Sequence, residues 1–239
     1  MGIRWNERTS GWFCAASEYT GYNKKLAAIL LKHIPERTTL CDVGCGSGLI
    51  DFELAPYFDQ ITCVDISSIA IDWIEKRCRQ QGIRNINPVC MDAKELTGEW
   101  DTVLSLFYGG PEGFVNYFPH ARKQVVLVTY MESKGKFGPK AHKIVKQFDT
   151  AGIMAWLDES GIRYTLEEYT LEHGQPLRDL EDAKAFVRAY TLPMCEDELL
   201  AYLDKHLKET GEEEFPYYLP KQKHFGLFVI RRDENKHLF

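Results

Sequence analysis

Asp42 closes a short apolar run, and three glycines, Gly44, Gly46 and Gly48, follow it at every second position. In a turn between a strand and a helix, such glycines let the backbone lie against a ligand, because no Cβ stands in the way and left-handed dihedral angles are open. The carboxylate beside them argues against a phosphate and for a ligand group with a positive end. Two further acids close apolar runs of the same kind: Asp65 in Cys63-Val64-Asp65-Ile66-Ser67, and Asp92 in Cys90-Met91-Asp92-Ala93. A carboxylate at such a place accepts from two hydroxyls at once, which a neutral side chain does less well. Taken singly, Asp65 or Asp92 reads equally well as a solvated acid or a helix cap. Their common register with the glycine turn is what ties them to one ligand.

Elements able to hold these residues alternate along the first two-thirds of the chain, as expected of a parallel sheet with crossover helices. Strands are predicted at 40–43, 61–65, 87–91, 102–106 and 124–130, with two more at 163–171 and 225–231. Helices are predicted at 22–33, 49–57, 67–81, 112–121, 139–148 and 150–159. Ser67 suits an N-cap, and Gly82 and Gly161 suit helix ends. The segment 173–222 carries eleven acids against six bases and two amphipathic patterns, one on Leu180, Ala183, Val187 and Tyr190, the other on Leu199, Leu203 and Leu207. It reads as a two-helix insertion between the last two strands, within a single domain spanning 1–239.

With 239 residues the chain is long enough for one well-buried α/β domain. A formal charge of −6 weighs against a nucleic-acid partner. No run approaches the ~20 apolar residues of a membrane span, and the first residues lack a signal-peptide core, so a cytoplasmic location is expected. The seven cysteines are scattered without a CxxC pair and read as buried reduced thiols. The histidines have no ligand-like spacing, and no metal is expected. Oligomeric state is not legible.

The order of elements and the residues at the strand ends resemble the class I, Rossmann-like S-adenosylmethionine-dependent methyltransferases, closely over 40–130 and as general architecture elsewhere. In that family the first strand ends in an acid followed by GxGxG, matched by Asp42, Gly44, Gly46 and Gly48. An acid ending the second strand holds ribose hydroxyls, matched by Asp65, and an Asp after the third meets the adenine, matched by Asp92. An aromatic-Asp pair before the fourth strand is matched by Trp100-Asp101. The resemblance implies a doubly wound, mostly parallel sheet of seven strands with the last one antiparallel, and S-adenosyl-L-methionine as cofactor. It places Cys45, Ile66, Ala93, Ser105 and Phe107 beside that cofactor as well. It also makes residues 1–35 a cover segment and helix, with Tyr19 placed to touch the methionine part.

A nicotinamide dinucleotide is the rival ligand, but its fingerprint spaces the glycines as GxGxxG, and Asp42 would oppose its pyrophosphate. Methyl transfer is a direct displacement, so holding the acceptor in line is much of the work. Residues 105–110 should line the transfer site, with Tyr108 as the acceptor-facing candidate or, equally, a hydrophobic lid. They lack the Asn/Asp-Pro-Pro-aromatic tetrad that grips a planar amino group. A run of lysines at 134, 136, 140, 143 and 146 reads as a solvated face or as a greeting for an anion. A small-molecule acceptor is the expectation. The alternatives are a nucleic-acid or protein methyltransferase, or a module that binds the cofactor without turnover.

Overall fold

The structure, a computed structural model, describes residues 7–131, 137–138 and 148–238. In chain order the elements are α1 Glu7–Thr20, α2 Tyr22–His33, β1 Thr39–Val43, α3 Leu49–Leu54, β2 Gln60–Asp65, α4 Ser68–Gln81, β3 Ile86–Cys90, β4 Trp100–Leu106 and α5 Pro111–Phe114. There follow β5 Ala121–Tyr130, α6 Thr150–Glu159, β6 Thr165–Glu172, β7 Gln175–Leu177, α7 Leu180–Tyr190, α8 Glu196–His206, β8 Lys208–Glu209, β9 Tyr217–Leu219 and β10 Gln222–Arg231. The described residues fall into two compact units. The larger holds 23–131, 148–169 and 224–238; the smaller holds 7–22, 137–138 and 170–223.

A seven-stranded sheet in the order β3-β2-β1-β4-β5-β10-β6 organises the larger unit. The pairs β1–β2, β2–β3, β1–β4 and β4–β5 are parallel, and the last strand, β10, runs antiparallel to β5. This is the Rossmann-like, doubly wound α/β fold the sequence implied. The order reverses at β1, which lies between β2 and β4, so a crevice opens beyond its carboxyl end. Val125 to Val128 are all buried, as a strand covered on both faces requires. Ser67 caps α4 by accepting from the Ala70 N–H, and Gly82 ends that helix in the left-handed region, φ 68°.

Two helices are shorter than their apolar patterns suggest. The predicted helix 49–57 stays α-helical only to Leu54 and tightens into a 3-10 turn at Ala55–Tyr57, where Pro56 has no N–H to give. The predicted helix 112–121 is corrected to α5 and a 3-10 turn at Phe118–His120. Pro119 interrupts the pattern, and Ala121 already belongs to β5. The predicted helix 139–148 and the lysine run at 134–146 lie, but for Phe148, outside the described residues.

The smaller unit has a core of its own, in which Trp12, Leu177, Phe186, Val187, Leu199, Leu203 and Leu219 are buried together. Both predicted insertion helices are present as α7 and α8. They share this core with α1 and with a three-stranded sheet, β7-β9-β8, that the sequence reading did not anticipate. The segment 215–220 supplies the central strand of that sheet. Asp179 caps α7 through the Asp182 N–H at 2.7 Å, and Asp182 accepts the Trp12 indole N–H at 3.0 Å. Among the described residues no helix is long and apolar enough to cross a membrane.

The Trp100-Asp101 pair works at the edge of the sheet away from the crevice. Asp101 Oδ2 accepts from the Thr39 N–H at 3.3 Å and from its hydroxyl at 3.2 Å, while the Asp101 N–H donates to Thr39 Oγ1 at 2.8 Å. The Trp100 indole donates to Thr62 Oγ1 at 2.9 Å. These bonds align the starts of β1, β2 and β4, and so set the level of their carboxyl ends. Asp101→Ala is expected to lower stability by about 1–2 kcal/mol in urea unfolding. Ligand affinity at the opposite edge should change by no more than about twofold, well under the tenfold that 1.4 kcal/mol represents.

Candidate functional site

The carboxyl ends of β1, β2, β3 and β4 bring together most of the residues singled out in the sequence. After β1 the chain turns through Gly44 (φ 77°), Gly46 (φ 55°) and Gly48 (φ 64°). The N–H groups of Gly44 and Cys45 donate to Val64 O at 2.8 and 3.1 Å, which folds the turn over the end of β2. Asp65 holds it there: Oδ2 accepts from the Gly46 N–H and Oδ1 from the Ser67 N–H, each at 2.9 Å. Each oxygen of Asp65 keeps a further lone pair, so the two amides orient the carboxylate without exhausting it.

Room above the turn is uneven. A Cβ on Gly44 would lie 2.3 Å from the Tyr108 ring, and one on Gly48 would lie 2.9 Å from Ile74. A Cβ on Gly46 would meet no atom within 4 Å. The chain itself therefore requires bareness at Gly44 and Gly48, whereas at Gly46 the space is left open. Next after Asp65 in the chain, Ile66 is an aliphatic side chain 69 % exposed. Ala93 begins the short 3-10 turn after β3, and Asp92 caps that turn by accepting from the Lys94 N–H at 3.0 Å.

The residues after β4 divide by role. Ser105 is buried, and its hydroxyl faces Val43 O at 3.4 Å and Tyr108 O at 3.1 Å, clamping the end of β1 to the following turn. Phe107 takes a left-handed backbone, φ 55°, the one non-glycine to do so among the described residues. Its ring lies against Tyr130 and Phe225, at centroid distances of 4.6 and 5.9 Å. That twist turns Tyr108 back over Gly44. Burial, then the charges of Asp65 and Asp92, raise the Tyr108 phenol further above its ordinary value, so it stays protonated. Tyr19 belongs to the smaller unit, where its hydroxyl donates to Glu212 at 2.9 Å and its ring meets Tyr218 and Phe215.

One residue of the site was missed. Asp51, in the first turn of α3, is 0 % exposed, and Asp42 is 1 % exposed. Among the described residues no well-formed hydrogen bond is made to Asp42 Oδ1 or to either oxygen of Asp51. Burial raises the Asp42 carboxyl well above the usual range, and the neighbouring charges of Asp51 and Asp65 push it further. Burial likewise pushes Asp51 up to about 7, against the lowering influence of Cys63 and Asp42 beside it. Cys45 is lowered by a hydrogen bond with Cys63 but raised more by burial and the nearby acids, to about 11. An acid inside Leu49-Ile50-Asp51-Phe52 was the signal available: a charged type at a buried position of an apolar helix start.

The fold is the Rossmann-like one, with the acids and the glycine turn at the carboxyl edge of its sheet. Residues 40–123 match the family model described as a methyltransferase domain. The chain is similar to the Ubiquinone biosynthesis O-methyltransferase of Coxiella burnetii, 39% identical over 74 residues that make up 29% of this chain and 31% of that one. The chain thus matches about a third of the length of its curated relatives. In fold it resembles the YcgJ protein of Bacillus subtilis, with TM-score 0.57, 12% identity and coverage of 86% and 97% of the two chains. It also resembles magnesium protoporphyrin IX methyltransferase of Synechocystis PCC 6803 with bound SAM, with TM-score 0.51, 16% identity and coverage of 89% and 79%.

The buried acids make stability depend on pH. An unfolded aspartate ionises near pH ~3.9, so between ~4 and 7 the native protein keeps a proton that the unfolded chain has lost. Stability is full below that window and falls as pH rises through it. From about pH 5 to 7 the unfolding free energy should drop by about 2 kcal/mol. Asp51→Asn, which keeps the shape without the charge, should flatten the profile. Urea melts across this range check it; parallel profiles for the two proteins would clear the pair of responsibility.

Proposed function

We propose that this protein transfers a methyl group from S-adenosylmethionine to a small-molecule acceptor. The observation that carries the reading is the open space over Gly46, whose N–H is held by Asp65, in a turn that follows directly on the buried Asp42. A cradle that a Cβ would fill, next to a carboxylate lacking a cation, fits a nucleoside carrying an ammonium group. Asp42 would face the amino-acid end, Asp65 the ribose hydroxyls, Ile66 one face of the adenine, and Asp92 with Ala93 its edge. Backbone of Gly44, Cys45, Gly46 and Gly48 would lie along the cofactor.

When bound, the cofactor supplies a methyl group made electrophilic by its sulfonium. The chain's part is to align and to exclude water. A protonated Tyr108 is a hydrogen-bond donor at neutral pH, not a base, so its proposed role is to orient the acceptor. Ser105 and Phe107 fix the turn that aims it. The acidic character of 173–222, with eleven acids against six bases, supports a small molecule over a nucleic acid. So does similarity to relatives named for small-molecule methylation.

Gly46→Ala tests this directly. An alanine in the left-handed region costs about 1–2 kcal/mol, so the protein should still fold. Its methyl group would stand in the cofactor's space, and calorimetry should find S-adenosylmethionine affinity reduced by about 100-fold or more, equivalent to ~2.7 kcal/mol. Equal affinity in the variant and the parent would mean the space serves something else.

A further inference from the structure

Asp51 has no place in the cofactor contacts just assigned, yet it is as deeply buried as Asp42 and lies beside it. Among the described residues, three of the four oxygens of the two carboxyls make no well-formed hydrogen bond. Two adjacent anions in such a place would repel without relief, so the pair must hold a proton when nothing positive is near. The described groups facing it bring no positive charge; the Cys63 thiol lowers Asp51 but does not neutralise it. Asp65 at the end of β2 adds negative charge. The thiols of Cys41 on β1, Cys45 in the turn, Cys63 on β2 and Cys78 on α4 are raised and stay neutral, as does the phenol of Tyr117. The one cation the site is built to meet is the ligand's own.

We propose that Asp42 and Asp51 share a single proton in the free protein, and that this proton leaves to solvent when an ammonium group settles against Asp42. Asp51 is then a positioning residue that couples cofactor binding to proton release. The inference rests on the cofactor reading above and adds its linkage. The O–H bond of the pair breaks, the proton passes to buffer, and the ligand's positive charge takes its place. Affinity for S-adenosylmethionine should therefore strengthen with pH, approaching tenfold per pH unit below the pair's second ionisation.

Titration calorimetry at about pH 6.5, in phosphate and again in Tris, counts protons released, and the group acting on the site is varied with the ligand. S-adenosylmethionine and S-adenosylhomocysteine, which both carry the ammonium group, should release close to ~1 proton. Methylthioadenosine, which lacks it, should release none. In Asp51→Asn the release should vanish and the affinity become flat with pH, because the amide can donate to an Asp42 that is already ionised. Asp51→Ser serves the same end if the first variant folds poorly. Infrared spectra of the free protein should show a protonated carboxyl band that Asp51→Asn lacks, and this reads the shared proton without any ligand. Binding without proton release, or the same release in wild type and variant, overturns the coupling and leaves the cofactor assignment standing. An absent carboxyl band overturns the shared proton. Failure of wild type to bind any of the three ligands removes the cofactor assignment itself, and the coupling with it.

Discussion

The site depends on a few backbone hydrogen bonds that fasten the glycine turn to the end of β2. Val64 O takes the N–H groups of Gly44 and Cys45, and Asp65 takes that of Gly46. Through these bonds a loop that would otherwise be free acquires the rigidity of the sheet. The same acid proposed to face the ligand thereby also shapes the surface beside it. A neutral residue in place of Asp65 would loosen the turn as well as lose an acceptor, so binding and local order cannot be separated at this position.

Burial then sets the chemistry. Asp42 stands at the end of a strand covered on both faces, and the neighbouring α3 adds a second acid where solvent does not reach. Around them lie thiols, which tolerate an apolar setting far better than a charged group does. The result is a pair of buried acids whose carboxyls are both raised by burial. Tyr108, folded over Gly44 by the unusual backbone of Phe107, closes one flank.

Much of this was legible in the residue order. The alternation of apolar runs and helical patterns corresponds to β1 through β5, and the acids at strand ends fall in one crevice because parallel strands all point their carboxyl ends the same way. Helix α4 was readable from its caps, since Ser67 and Gly82 mark its ends by local rules. Other features depended on contacts that no local rule reveals. Helix α1 buries Thr9, Trp12, Ala16, Ser17 and Thr20, a face of small and polar residues with little hydrophobic contrast. The strands β7, β8 and β9 are two or three residues long and exist through their pairing. Asp51 was not singled out because its partner, nine residues earlier, is brought beside it only by the turn. The Trp100-Asp101 pair, expected before the fourth strand, forms the first two residues of β4, where its bonds align strand starts.

The smaller unit is assembled from stretches far apart in the chain. The indole of Trp12 donates to Asp182 across 170 positions, and its ring meets Phe186 at 5.2 Å. On a ribosome, α1 is the first described helix to emerge, yet nearly the whole polypeptide must be synthesised before its neighbours exist. Until then its tryptophan has nowhere apolar to go. Long-range closure of this kind slows maturation and leaves sticky surface uncovered meanwhile. Helix α1 is thus among the last of the described helices to find its place, and a nascent chain stalled midway would depend on chaperones to shield it.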